Sequence, residues 1–217
     1  MINSHPDSRL MNEYSAGTLP LAQSTCVSLH LNYCEHCQRQ SQQLQNLGAS
    51  LFEDLAPAPV EDGLLDAVLA QLDDQPPLSY GHNGSSQGEF PGLVHRLMDR
   101  NYDELEWNRV SSGLRVSRLR TGDLDNELAL YHIKAGGKIP QHTHRGTELT
   151  LVLDGSFSDE EGVYSEGDFL MRDGEHVHTP TAAQTSDCIC IGVLDAPIRF
   201  TRWNYRVLNP FLKIQAH

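Results

Sequence analysis

The first 75 residues place apolar side chains at the three- and four-residue spacing of amphipathic helices. This spacing predicts four helices, over residues 6–17, 21–47, 49–55 and about 60–73, and Gly48 is predicted to cap the second. The fourth helix has an apolar face opposite its acids, made of Leu64, Leu65, Val68, Leu69 and Leu72. The N-terminal region is therefore predicted to be all-α.

After residue 106 the pattern changes to short runs of alternating or β-branched residues separated by Gly and Asp. The predicted strands lie within residues 114–120, 128–134, 148–157, 162–171, 176–180 and 187–195. Regularly spaced short strands are typical of an antiparallel sandwich or barrel. The C-terminal region is therefore predicted to be all-β.

Residues 76–92, with the sequence PPLSYGHNGSSQGEFPG, are rich in Pro, Gly and Ser and poor in large apolar side chains. This composition predicts a linker between two domains. The boundaries that follow are a helical domain over residues 1–75, the linker over 76–92 and a β domain over 93–217.

The net charge of −13 is concentrated in the helical region, because residues 1–75 hold ten acids and only two bases. This distribution excludes the basic surface of a nucleic-acid-binding protein. It suits a basic protein partner, and it would equally serve solubility.

No apolar run approaches the roughly 18 residues of a membrane span, and the N-terminus lacks the pattern of a secretory signal. The five cysteines are odd in number and occur at Cys-x-x-Cys and Cys-x-Cys spacings, unlike a disulfide framework. A reducing cytoplasm is the expected location.

A first candidate metal site lies in HLNYCEHC, where His30, Cys34 and Cys37 occupy positions i, i+4 and i+7 of the predicted second helix. At that spacing the three side chains share one face. Imidazole and thiolate ligands suit tetrahedral zinc, which takes a fourth ligand. A thioredoxin-like dithiol is less favoured, because its Cys-x-x-Cys follows a strand in a βαβ unit.

The fourth ligand has three candidates. His36 is expected to point away from the face of the cysteines, and Cys26 stands a full turn above His30, too far to converge. His5, just before the first helix, would pin two helices together and is the predicted ligand. The alternative is that Cys34 and Cys37 are small buried core residues.

A second candidate metal site lies in the pattern Gly136-x5-His142-x-His144-x3-Glu148-x6-Gly155. Two histidines that alternate on a strand point the same way, and a turn returns the carboxylate on the next strand. The pattern resembles the first motif of the cupins, in which a later histidine completes the site. His176 and His178 are both candidates, and the H-x-P context of His178 favours it.

The cupin ligand set would accept Zn, Mn, Fe or Ni, so spacing does not select the metal. The alternative is a cupin fold that has lost its metal. Cys188 and Cys190 occupy alternate positions of a predicted strand. They could form a redox-sensitive pair, but that spacing is awkward for a direct disulfide and favours small core residues.

The upstream His5 combined with His30-x3-Cys34-x2-Cys37 resembles the zinc-binding anti-sigma domain. With the linker and the cupin motif behind it, nearly the whole chain resembles the ChrR-type anti-sigma factors. The resemblance implies a regulator that is not an enzyme, with zinc at the first site and zinc or another divalent metal at the second. It also implies that the fourth helix binds an extracytoplasmic-function (group IV) sigma factor until an oxidative signal, such as singlet oxygen, releases it.

Two other classes of protein remain open from the residues. A metal-dependent cupin enzyme of the dioxygenase or isomerase type could carry a helical zinc module, given an open coordination position. A metal-storage or metal-sensing protein would hold exchangeable rather than tightly bound zinc.

Overall fold

The computed structural model describes residues 2–72, 102, 105–207 and 209–214, so the predicted linker lies outside the described residues. The N-terminal helices are α1 (Ser8–Ser15), α2 (Leu21–Tyr33), α3 (Glu35–Glu53) and α4 (Leu64–Leu72). Asp7 caps α1, where its carboxylate accepts a hydrogen bond of 2.7 Å from the backbone N–H of Leu10. Within the described ranges, no helix is both long and apolar enough to span a membrane.

The prediction of one helix over residues 21–47 is wrong, because the chain breaks at Cys34. This residue has an extended backbone, with φ −116° and ψ 99°, and its sulfur caps α3 by accepting from the N–H of Cys37. The predicted cap at Gly48 and the separate helix over 49–55 are also wrong, since α3 continues through both. An internal glycine costs a helix only about 1 kcal/mol, which the other residues of α3 offset.

The C-terminal region is the predicted antiparallel β-sandwich. Its strands are β1 (Asn108–Arg109), β2 (Leu114–Leu119), β3 (Glu127–Ile133), β4 (His142–Thr143), β5 (Glu148–Asp154), β6 (Ser156–Ser158), β7 (Val163–Ser165), β8 (Phe169–Arg172), β9 (Val177–His178), β10 (Thr181–Ala182), β11 (Cys188–Leu194) and β12 (Arg199–Phe200). A six-stranded sheet has the order β1-β2-β3-β11-β5-β8, and two three-stranded sheets have the orders β10-β6-β7 and β12-β4-β9. A short helix, α5 (Trp203–Arg206), and a 3-10 turn follow.

The large sheet is buried on both faces, which is why β11 is apolar at nearly every position. One face packs against the N-terminal helices in a single cluster that includes Met11, Leu29, Leu130, Phe169 and Ile191. The other face packs on the small sheets and includes Phe157, Leu170, Cys188 and Cys190. The helices and the β-sandwich therefore share a buried core.

Cys188 and Cys190 both point into the interior of the sandwich and are buried. Their sulfur atoms lie 3.6 Å apart and both thiols are free. The turn that follows β5 packs beside them, and a Cβ at Gly155 (φ +72°) would collide with the carbonyl oxygen of Asp187. The last glycine of the cupin motif thus permits β5 and β6 to turn against β11.

Candidate metal centres

The first cluster brings together His5, His30, Cys34 and Cys37, whose ligand atoms all lie within 4.8 Å of one another. Both cysteine sulfurs are 3.4 Å from Nδ1 of His5, and Nε2 of His30 is 3.3 Å from the sulfur of Cys37. A tetrahedral zinc with ordinary bond lengths separates its ligand atoms by about 3.3–3.8 Å. The cluster therefore has the size and the donor set of a tetrahedral metal site.

Each ligand of this cluster comes from a different local structure. His30 lies in the last turn of α2, Cys34 in the break, Cys37 in the first turn of α3, and His5 in the extended segment before α1. The break at Cys34 therefore replaces the single helical face that the spacing predicts. The other two candidates stay outside the cluster: His36 is exposed and Cys26 is buried in the helical core.

The protonation states of the histidine and the cysteine in the first cluster favour binding of a cation. His30 donates from Nδ1 to the carbonyl oxygen of Gly167 at 2.9 Å, which leaves the Nε2 lone pair facing Cys37. Burial lowers the pKa of His30 to about 4, so the ring is neutral at neutral pH. Burial and the neighbouring Cys34 raise the pKa of the Cys37 thiol to about 12, so a bound cation is what would stabilise the thiolate.

The second cluster brings together His142 on β4, His144 just after it, Glu148 on β5 and His178 on β9. Antiparallel pairing of β4 and β9 places His142 directly opposite His178. Nε2 of His178 lies 3.1 Å from Nε2 of both other histidines, and Nε2 of His144 is 3.3 Å from Oε2 of Glu148. These four side chains are able to bind one metal ion.

The tautomers in this cluster again point to a cation. Nδ1 of His142 donates to the carbonyl oxygen of Pro140 at 2.9 Å, and Nδ1 of His178 donates to Asp159 at 3.1 Å. Two Nε2 lone pairs therefore face each other at 3.1 Å, an arrangement that is repulsive unless a cation lies between them. Burial, with the neighbouring histidines, lowers the pKa of His142 to about 4 and of His144 to about 3, so both offer lone pairs at neutral pH.

The structure places His178, and not His176, in the cluster. His176 is partly exposed and its Nδ1 lies 2.7 Å from a carboxylate oxygen of Asp173. Asp159, which orients His178 from the β6–β7 loop, was not predicted from the sequence, because no motif spacing marks it. Although burial opposes ionisation, hydrogen bonds from His178 and the Glu161 N–H and the charge of Arg172 hold the pKa of Asp159 below its usual range.

These positions lead to a prediction about two histidines that are two residues apart. We expect His178→Ala to weaken metal binding at the second cluster, which we also call the cupin cluster, by about tenfold or more, because the substitution removes one of four predicted ligands. The matched control His176→Ala should leave the affinity unchanged. Competition with a metal chelator measures both, and equal losses in the two variants would contradict the assignment of His178.

The β7–β8 turn connects the β-sandwich to the first cluster. Oδ1 of Asp168 accepts from the N–H groups of Asn3 and Ser4 at 2.8 and 3.0 Å, and Phe169 N–H donates to the carbonyl of Ser4 at 3.0 Å. The same turn supplies the Gly167 carbonyl that fixes His30. Residues of the β-sandwich thus position two of the four candidate ligands, His5 and His30.

Close approach at this turn depends on Gly167. Its φ is +87°, and a Cβ there would lie 2.8 Å from Cδ1 of Ile2 and 3.0 Å from Cβ of Tyr33. At the other end of β8, Arg172 donates to the hydroxyl of Tyr164 at 2.7 Å and lies 3.4 Å from Asp159. One end of β8 therefore contacts Asp159, which orients His178 of the second cluster, and the other end adjoins the turn that holds His5 and His30 of the first cluster.

Comparison with known proteins agrees with this architecture. Residues 98–196 match the family described as the ChrR cupin-like domain. The anti-sigma-E factor ChrR of Cereibacter sphaeroides is 36% identical over 213 residues, which cover 98% of this chain and 99% of that protein. The crystal structure of Rhodobacter sphaeroides SigE in complex with the anti-sigma ChrR matches with a TM-score of 0.79 and 35% identity, over 89% of this chain and all of the matched chain. The chain belongs to the ChrR family of anti-sigma factors.

Proposed function

We propose that this chain is a cytoplasmic anti-sigma factor that sequesters an extracytoplasmic-function sigma factor and represses transcription from its promoters. The observation that carries the proposal is a concentration of exposed apolar side chains on α3, α4 and the segment between them. We call it the docking surface, and it comprises Leu47, Leu51, Phe52, Leu55, Val60, Leu64, Leu65, Val68 and Leu69. So many exposed apolar side chains within 23 residues are typical of an interaction site, and the acidic charge of the helical region suits a basic partner.

The docking surface is wider than the sequence prediction. Four of the five predicted contact residues lie on it, and the side chain of the fifth, Leu72, lies outside the described residues. The residues of α3 were not predicted as part of this surface, because the sequence predicted that the helix ends at Gly48. A helix that ends there does not include Leu51 and Phe52 together with Cys37. Membership of a family in which a SigE–ChrR complex is known supports a sigma factor as the partner.

We further propose that residues 1–75 form a four-helix sigma-binding domain whose cluster holds structural zinc, and that residues 93–217 form a cupin domain that holds zinc or another divalent metal. Four protein ligands close the coordination of the first site, which suits a structural rather than a catalytic metal. The metal would fix the angle between α2 and α3, and α3 carries part of the docking surface. Zinc binding would thereby hold the surface in shape.

An oxidant, such as singlet oxygen, is the proposed signal for release. Oxidation of a thiolate at Cys34 or Cys37 would remove a zinc ligand. A change at the cupin metal would reach the same site through Asp159, Arg172 and β8. Either event releases the sigma factor only if it destabilises the bound state more than the free state.

The size of the cupin cavity favours regulation over enzymatic catalysis. The cavity beside His142, Glu148 and His178 has a volume of about 40 Å³. Pockets for organic ligands usually measure about 300–1,000 Å³, whereas this one has room only for a few water-sized molecules. Membership of the ChrR family likewise supports a role without catalysis.

Substitution of a residue on the docking surface tests the proposed function. An extracytoplasmic-function sigma factor of the same organism should co-purify with this chain, and the complex should not support transcription. We expect Leu65→Asp to weaken the complex by about 30-fold or more, as for an interface residue worth about 2 kcal/mol. The matched control is Val163→Asp on β7, since Val163 is 71% exposed and Leu65 is 69% exposed.

Both variants should keep the thermal stability and the metal content of the parent, because neither side chain is buried. An unmutated chain that neither binds nor inhibits the sigma factor would refute the proposed function. Equal binding by the parent and Leu65→Asp would refute the docking surface alone.

A further inference from the structure

A second cavity lies at the β1–β2 edge of the large sheet, away from the residues of both metal clusters. It has a volume of about 470 Å³ and is lined by the turn before β2, the start of β2 and the end of β3. Trp107, Arg109, Arg115, His132 and Lys134 are among the lining residues. This volume is in the range of about 300–1,000 Å³ that is usual for small-molecule sites.

The cavity is lined by several positively charged side chains, although the chain as a whole is acidic. Arg109 on β1 lies directly opposite Arg115 on β2, an arrangement of like charges that destabilises a sheet. Lys134 adds a third cation. Within the described part of the chain none of the three makes an ion pair, so an anion in the cavity would relieve their repulsion.

Arg115 is held in a defined orientation. His132, its register partner on β3, donates from Nε2 to Asp187 at 2.6 Å, which leaves the Nδ1 lone pair as an acceptor. That lone pair is shared by Nε and Nη2 of Arg115, at 2.9 and 2.7 Å, and by the hydroxyl of Tyr102 at 2.7 Å. The guanidinium lies 4.5 Å from the ring centre of Trp107. Nη1 has no hydrogen-bond partner among the described residues, which leaves its two N–H groups for a ligand.

Asp187, the acid that binds His132, does not form an ion pair with Arg115. The carboxylate of Asp187 is already engaged by His132 and by the N–H of Ala135 at 2.8 Å. It acts on Arg115 only through His132, by fixing the imidazole tautomer that accepts from the guanidinium. A buried histidine that orients an arginine beside an aromatic ring is a geometry that recognises anions.

We propose that this cavity binds a small aromatic anion, whose carboxylate or phosphate pairs with Arg115 and whose ring lies beside Trp107. Arg109 and Lys134 would add charge, and Ser111 and Ser112 line the same cavity. The site shares no residue with the metal clusters or the docking surface. The proposal is therefore independent of the sigma-factor function.

Tryptophan fluorescence tests the site directly, because the chain contains only two tryptophans. Trp203 is 85% exposed and lies on α5, so Trp203→Phe leaves Trp107 as the only tryptophan of the full-length chain, and selective excitation of tryptophan then reports on Trp107 alone. Phenyl phosphate and benzoate serve as probes, with inorganic phosphate and benzyl alcohol to separate the contribution of the charge from that of the ring. We expect the two aromatic anions to change the emission of Trp107 saturably, inorganic phosphate to bind about tenfold more weakly, and benzyl alcohol not to bind.

In this background Arg115→Gln should weaken phenyl phosphate binding by about tenfold or more, the cost of one charge-assisted interaction. Arg120→Gln is the matched control, since Arg120 is exposed just after β2 and does not line the cavity. Because Arg115 also packs on Trp107, Lys134→Gln provides a second variant on the surface and should weaken binding about threefold with unchanged thermal stability. Absence of a saturable signal, or affinities that neither substitution changes, would overturn the proposal. Inorganic phosphate that binds as tightly as phenyl phosphate would overturn the aromatic ligand class.

Discussion

Replacement of Cys37 by serine is expected to release the metal of the N-terminal cluster and to abolish binding of the sigma factor. The sulfur of Cys37 is within 3.4 Å of ligand atoms from both His5 and His30, and the residue is completely buried. Structural zinc sites contribute about 10–16 kcal/mol of apparent binding free energy, much of which stabilises the fold. Loss of a thiolate should therefore lower zinc affinity by about 100-fold or more and leave α2 and α3 without a fixed angle.

Metal analysis of the purified protein measures this effect, together with co-purification of the sigma factor. Cys26→Ala is the matched control, because Cys26 is an equally buried cysteine of the same helices that lies outside the cluster. It should retain the metal and the sigma factor with only a modest loss of stability. A Cys37→Ser protein with the metal content of the parent would show that this cluster is not a metal site.

The substitution Asp168→Ala is expected to weaken the N-terminal metal site although Asp168 is not a ligand. Its carboxylate accepts three backbone hydrogen bonds, from Asn3, Ser4 and Ser165, and the residue is buried. Each buried N–H left without a partner costs about 1–3 kcal/mol. Release of residues 2–5 from the β-sandwich should free His5 and lower zinc affinity at the first cluster by about tenfold or more, as for other groups that orient metal ligands.

The readout is the rate at which a chelator removes each metal, since the cupin ligands do not contact Asp168. We expect faster release from the N-terminal cluster and unchanged release from the cupin cluster. Asp173→Ala is the control, because Asp173 is an exposed aspartate that follows β8. Equal release rates in the parent and Asp168→Ala would mean that the β7–β8 turn does not hold the first cluster together.

The sequence predicted donor sets better than it predicted the backbone that carries them. The types of residue in both clusters follow from metal chemistry, and their spacing narrows the choice, as with the His142-x-His144 pair on one strand edge. The predicted helix boundaries were wrong at Cys34 and Gly48, where tertiary contacts outweigh the local helical preference of the sequence. Cys34 lacks any helix-breaking signal, and its extended backbone is explained by the convergence of four ligand atoms that a straight helix would keep apart.

Contacts between distant parts of the chain had no sequence signal at all. Asp159 orients His178 across 19 residues, and Gly167 fixes His30 across 137 residues. The row formed by Arg109, Arg115 and His132 exists only because three strands align in register. Such contacts depend on how strands pair and how elements pack, and many different sequence patterns are compatible with the same pairing and packing.

By itself, the sequence determined the helical and β-rich regions, the residue types of the two candidate metal sites and the apolar face of α4, because these depend on periodicity and side-chain chemistry over short distances. Tertiary structure alone decided that the helices share a core with the β-sandwich, that the β7–β8 turn positions two ligands of the first cluster, and that a cationic cavity lies beside Trp107. The physical reason is that each of these features is made by side chains and backbone groups far apart in the chain, and only the packed fold brings them within bonding distance.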